Sequence, residues 1–152
     1  MDSQKVSIRR TKKKGRGIYA DKDIRKGEFI AIFDGPIYDG EVEWTEDMYN
    51  HAIQFDKDLW RDSVGIARLI NHSCDPNCGI KDLFKVVAMR KIKADEEISW
   101  DYEMTEKNPH WKMKCQCGTN ICRGIIGNYK NMPKSIRKKY GTYISAWLTQ
   151  KK

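Results

Sequence analysis

The chain has 152 residues, 29 Lys and Arg against 21 Asp and Glu for a net charge of +8, and 39% hydrophobic residues. That is enough chain for one domain with a core that needs no disulfides. The longest apolar run, FIAIF (29–33), is far too short to cross a bilayer, and the first residues, MDSQKVSIRRTKKKGRG, hold no apolar segment of a secretory signal, so the expectation is an intracellular protein away from membranes.

Short strand-like pieces dominate. In chain order they are VSI (6–8), EFIAIF (28–33), HAIQF (51–55), FKVVAM (84–89) and EISWDY (97–102), punctuated by turn-formers as in DGPIYDG (34–40) and DPN (75–77). EVEWTEDMYN (41–50) reads as a short helix. The tail over 132–148 reads as an amphipathic helix: Ile136, Tyr140, Ile144, Trp147 and Leu148 share one face, Pro133 suits the first turn, and Gly141 is the weak point. The expected class is mostly β (β+α).

Charge is segregated. Residues 1–26 carry ten basic side chains against three acidic, residues 107–152 carry eleven basic and no acidic, and residues 27–106 carry 18 acidic against 8 basic. An acidic centre between basic ends suits a cationic substrate at the centre, with the ends near nucleic acid or an anionic ligand.

Five cysteines without a secretory signal point to a reducing compartment and to metal. CQCGTNIC places Cys115, Cys117 and Cys122 where three thiolates can wrap one tetrahedral zinc. The spacing leaves the fourth ligand open among Cys74, Cys78, His51, His72 and His110. Four thiolates would make a closed, structural zinc with no position free for chemistry. If Cys74 is the fourth, the metal ties the C-terminal module onto the loop RLINHSCDPNC (68–78) and makes a lidded cleft from two parts.

Three stretches, KGRGIYADKDIRKGEFI (14–30), ARLINHSCDPN (67–77) and DEEISWDYEM (95–104), followed by the C-x-C-x4-C pattern, resemble the SET-domain family of protein lysine methyltransferases over residues 5–126. The resemblance is to a minimal member, without the pre-SET cysteine cluster. It implies short-stranded sheets with a pseudoknot, divided into a SET domain (5–106), a post-SET zinc module (107–126) and a basic C-terminal amphipathic helix or tail (127–152).

It further implies S-adenosylmethionine, one structural zinc per chain, and roles residue by residue. Asn71 and His72 would hold the cofactor through backbone groups. Lys14 and Arg16, around Gly15 and Gly17, would take its carboxylate end, and Gln116 would touch its adenosine from the lid. Cys74 would join Cys115, Cys117 and Cys122 on the zinc, leaving Cys78 spare. Tyr102 would be the catalytic hydroxyl. Trp100 stands where the family carries Tyr or Phe and would wall the lysine channel. His51 aligns with a tyrosine that contacts the cofactor, with Tyr49 two residues earlier. Arg68 would be structural or line the cofactor site. The substrate implied is a basic, histone-like protein, in the nucleus of a eukaryote or the cytoplasm of a prokaryote, with a homodimer as a further arrangement. The competing readings are a catalytically silent module that binds basic peptides and a small zinc-ribbon-like nucleic-acid binder. The last leaves NHSC and EEISWDY unexplained.

Overall fold

The computed structural model describes residues 1–150, so the last two residues of the expected 127–152 tail lie outside the described residues. In chain order the elements are β1 (Val6–Arg10), β2 (Arg16–Ala20), β3 (Phe29–Ile32), β4 (Ile37–Asp39), α1 (Glu46–His51), β5 (Ile53–Asp56), β6 (Leu59–Arg61), β7 (Asn71–His72), β8 (Cys78–Lys81), β9 (Lys85–Ala88), β10 (Ser99–Trp100), β11 (Met113–Lys114), β12 (Ile125–Ile126), α2 (Lys134–Tyr140) and α3 (Ala146–Thr149).

The strands form five small sheets: β1-β2, β3-β9-β8, β4-β6-β5, β7-β10 and β11-β12. All pairings are antiparallel except β7 with β10, where Ser99 faces Asn71 and Trp100 faces His72 in parallel. A parallel pair cannot be closed by a tight turn. Here the β8–β9 hairpin is the excursion between the two strands, and the pairing brings the 97–104 segment alongside the 68–78 loop, as the expected pseudoknot requires.

The core is rich in isoleucine: Ile18, Ile24, Ile30, Ile80, Ile92 and Ile98 are all fully buried, with Phe33 and Val86. β-branched side chains stiff about χ1 suit a pleated, buried surface, and full burial of one such side chain contributes about 1.5–3 kcal/mol.

Three expectations change. The residue expected to open a strand, His51, instead closes α1, which Thr45 caps by accepting from the Met48 N–H at 3.2 Å. EISWDY keeps only Ser99–Trp100 as strand, because the Asp101 carboxylate accepts the Glu103 N–H at 3.0 Å and starts a 3-10 turn at Tyr102. The single tail helix is broken into α2 and α3 at Gly141, whose φ of +57° ends α2. The apolar residues of that tail still pack inward: Tyr140 and Ile144 are buried, and Ile136 and Leu148 lie against the core. None of the large exposed hydrophobic side chains among the described residues lies in this tail.

Candidate active site and metal centre

The junction of β7 and β10 is pinned by Asn77, whose side chain donates to the Glu97 carbonyl at 2.8 Å and accepts the Ser99 N–H at 2.9 Å. Two residues beyond β10, the backbone N–H of Tyr102 donates to His72 Nδ1 at 3.0 Å. Nδ1 is therefore an acceptor and the proton of the neutral ring sits on Nε2, which faces Cys74 Sγ at 3.4 Å. Burial lowers the His72 pKa to about 4 despite the nearby Asp101 carboxylate. The 3.7 Å approach of Nδ1 to Asp101 is accordingly not an ion pair.

This turn places Tyr102 in the wall of a narrow shaft of about 30 Å³, shared with Phe33, His51, Trp100, Glu106 and Trp111. The Tyr102 hydroxyl donates to the Ile70 carbonyl at 2.8 Å, and burial, then the charge of Glu97, raises its pKa. It stays protonated, its hydrogen is committed, and what it presents to the shaft is oxygen lone pairs. Trp100 is only 2% exposed, packs edge-on against Phe33 at 6.0 Å between ring centroids, and lies 4.9 Å from the Tyr102 ring. Its indole N–H is buried with no partner among the described residues.

The other expected cofactor residues fall into separate groups. Lys14 Nζ donates to Glu97 at 2.9 Å, and Asn71 bridges the Arg16 carbonyl and the other Glu97 oxygen, each at 3.0 Å. Gly17 is enclosed there: a Cβ would stand 2.9 Å from both the Asn71 amide nitrogen and Glu97. Gly15 has φ +74° in the turn between β1 and β2. Arg16 is exposed. Arg68 is held by Asp62 (3.0 Å) and Asp47 (2.6 Å), and His51 Nδ1 lies 2.8 Å from the Asp47 carbonyl, so both line the shaft from a braced position. Gln116 shares a shallow open cleft with Lys13, Cys115 and Cys122, away from the shaft. Residues 13 and 116 thus face one another across the space between the basic arm and the cysteine module.

Cys74, Cys115, Cys117 and Cys122 bring their sulfur atoms within 4.8 Å of one another. Cys74 and Cys115 sulfurs are 3.7 Å apart, and a tetrahedron with bonds of about 2.3 Å has edges of about 3.8 Å. The cluster could hold a metal ion. The Arg123 N–H points at the Cys74 sulfur (3.3 Å) and the Cys117 N–H at the Cys115 sulfur (3.4 Å), as partners of thiolate would. Cys78 is buried in β8, outside the cluster.

Sequence reasoning missed the residues that brace this assembly. Arg123 Nη2 donates to both oxygens of fully buried Asp101 (2.8 and 2.7 Å) and to Glu103 at 3.1 Å, and the Tyr140 hydroxyl of α2 donates to Asp101 at 2.7 Å. A legible hint was Arg123 itself, one residue past the last cysteine of the pattern. It also missed Glu106 and Trp111, which line the shaft. Glu106 is 8% exposed, and burial raises its pKa to about 7.

Against known families, residues 15–103 match the SET domain. The chain belongs to the SET-domain family. This SET domain is 29% identical to the histone-lysine N-methyltransferase ASHR3 of Arabidopsis thaliana, over 91% of this chain and 31% of that protein. It is 35% identical to the histone-lysine N-methyltransferase trr of Drosophila melanogaster, over 78% of this chain and 6% of that one. The human H3 lysine-36 specific histone-lysine N-methyltransferase is 31% identical over 88% of this chain and 6% of its own length. The chain therefore spans a third or less of each of these relatives. Among solved structures, KRYPTONITE in complex with mCHH DNA, H3(1-15) peptide and SAH superposes with a TM-score of 0.64 at 21% identity, covering 79% of this chain and 29% of the other. That likeness supports the fold: this is the SET arrangement of short sheets around a parallel β7–β10 pair.

Proposed function

We propose that this SET domain is a protein-lysine N-methyltransferase that uses S-adenosylmethionine and acts on a basic, histone-like protein of chromatin. The observation that carries the reading is Tyr102: a protonated hydroxyl, its hydrogen tied to the Ile70 carbonyl, with free lone pairs in the wall of a narrow shaft. The relatives are histone-lysine methyltransferases of plant, fly and human origin, which favours a nuclear setting over a bacterial cytoplasm. The acidic stretch 27–106 suits a cationic partner, and the basic ends suit proximity to DNA.

The residues present fit the methyl donor by their chemistry. A cationic arm of Lys13, Lys14 and Arg16 can meet its carboxylate, Asn71 and His72 offer backbone groups on β7, and Gln116 faces the arm from the cysteine module. Lys14 is paired with Glu97, so taking a carboxylate there means exchanging partners. When bound, the donor supplies an electrophilic methyl group on a cationic sulfur. What the chain's own residues do is position the acceptor. A lysine ammonium has no lone pair, and at an ordinary pKa near 10.4 roughly one in a few thousand is neutral at pH 7. Burial in the shaft favours the neutral form. The Tyr102 oxygen can then accept an amine N–H and hold the nitrogen in line, so that alignment supplies much of the acceleration. Trp100 walls the shaft, and its bulk there bears on how many methyl groups fit.

We assign residues 5–106 to the SET domain, 107–126 to a post-SET module closed by one structural zinc on Cys74, Cys115, Cys117 and Cys122, and 127 onward to a packed tail. The test is transfer of labelled methyl groups from S-adenosylmethionine to a panel of basic proteins, comparing the native chain with Tyr102→Phe. The expected result is labelling by the native chain and a loss of about 10²-fold or more in kcat for the variant with donor binding retained. Donor binding without labelling of any protein would instead establish a silent, peptide-binding SET module.

A further inference from the structure

Beside the shaft lies a second, wider cleft of about 360 Å³ whose walls are mostly aromatic: Trp44, Tyr49, Trp60 and Trp111, with Glu106 among the lining residues. Tyr49, Glu106 and Trp111 line both spaces, whereas Trp44 and Trp60 line the cleft and not the shaft. Its walls are held in place. Trp60 sits on the central strand β6, paired on both sides with Tyr38 and Gln54. The Trp44 indole N–H donates to the Asp39 carbonyl at 3.0 Å, and its ring packs edge-on against Tyr38. The Trp44 and Trp60 rings meet at 83° with centroids 5.2 Å apart, forming a corner rather than a slot.

The charge in the cleft is negative. Glu106 uses one oxygen to accept the Asn108 N–H at 3.2 Å, and no cation among the described residues pairs with it. Exposed Glu41, Glu43 and Glu46 flank Trp44 in the chain. An uncharged apolar side chain filling this space would desolvate the Glu106 carboxylate further and force it to keep its proton, at a cost. A cation offsets that cost and gains from the ring faces. Two perpendicular faces fit a rounded alkylammonium better than a flat guanidinium, which stacks on parallel faces, and one free carboxylate oxygen offers no bidentate partner for arginine.

We propose that this cleft is a second recognition site, taking the side chain of an already N-methylated lysine of a protein tail next to the shaft that receives the target lysine. That this is a second site rests on the proposed methyltransferase reading; the binding itself does not, and it needs no methyl donor. The site would let the domain prefer tails that already carry a methyl mark, including its own product.

The test is titration of the full chain, without methyl donor, with Nα-acetylated amides of trimethyllysine, lysine and arginine, followed by NMR at the tryptophan indole signals. Trimethyllysine is expected to bind about tenfold or more tightly than lysine or arginine, and to lose about tenfold in Trp60→Ala or Trp44→Ala. Glu106→Gln should weaken it several-fold. Trp44→Phe, which keeps a ring in place, should weaken it partially and serves if an alanine variant does not fold. Equal or tighter binding of arginine, unchanged affinity in both Trp44 and Trp60 variants, or no binding at all would overturn the proposal. Because Trp44 and Trp60 do not line the shaft, unchanged affinity in their variants would place trimethyllysine there as product. A chain that binds trimethyllysine but transfers no methyl group would overturn the enzyme reading alone.

Discussion

Glu106 is a carboxylic acid held against its ordinary chemistry. Its pKa is raised from 4.5 to about 7 by burial, only partly offset by the Asn108 N–H. Between those values the folded chain binds more of this proton than the unfolded chain does, so the contribution to stability is fully present below about pH 4.5 and is lost as pH rises through 7. The Glu106→Gln side chain keeps an acceptor for the Asn108 N–H and cannot ionise. At pH 8 the variant should therefore be more stable than the native chain by about 1–3 kcal/mol, with the advantage vanishing near pH 4.5. Urea unfolding at the two pH values measures this. Equal gains at both would show that Glu106 titrates normally. Tyr102 shows the same effect of burial: its raised pKa keeps a proton that a base would need to shed, so it can orient an amine but cannot deprotonate one.

At the scale of elements, Gly17 in β2 shows how tightly the basic arm is joined to the junction. A Cβ there would stand 2.8–2.9 Å from Thr11, Asn71 and Glu97, and the last two cannot swing away freely because Lys14 holds Glu97 and Asn71 donates to both Glu97 and the Arg16 carbonyl. Gly17→Ala should cost about 1–3 kcal/mol by overpacking, read as a lowered thermal midpoint. A shift no larger than measurement error would mean that the Asn71–Glu97 pair is loose. This coupling was invisible in sequence, because it joins residues 14, 16, 17, 71 and 97 by side-chain geometry. What was legible had local or patterned causes. The strands at 6–8, 28–33 and 84–89 carry β-branched runs between turn-formers, and the motifs around Asn71, Cys74 and Tyr102 mark the junction. β4, β6 and β8 were missed because Ile37–Asp39, Leu59–Arg61 and Cys78–Lys81 are too short or too polar to show alternation. α1 was placed but began late, since Thr45 rather than Glu41 provides the cap. The tail helix failed at Gly141, where a left-handed residue overrode a face that nevertheless packed as its spacing foretold.

Across the whole molecule, the cysteine module is joined to the core at two places close together: the four-sulfur cluster through Cys74, and Arg123 on the buried Asp101–Glu103 pair. Apart from these, it has a two-residue pair, β11 with β12, and a small apolar cluster around Ile126. So little buried surface cannot hold a module of this length by itself, and a metal that links residue 74 to residues 115–122 closes a long loop in the unfolded chain. The Glu103 carboxylate also accepts the Gly127 N–H at 2.8 Å, so the end of the module stays attached through charge even if its metal is lost. Removing the metal with a chelator should therefore expose the amides of residues 113–122 to hydrogen exchange while the amides of β2 and β9 stay protected. Arg123→Ala leaves two buried carboxylates without their cation, and should lower the stability of the entire chain by about 3–5 kcal/mol even with metal bound. Exchange read by mass spectrometry separates the two effects. Chelation that leaves residues 113–122 protected would mean that the sulfur cluster carries no metal that matters to the fold, and an Arg123→Ala chain as stable as the native one would mean that Asp101 and Glu103 are neutralised by their own protons.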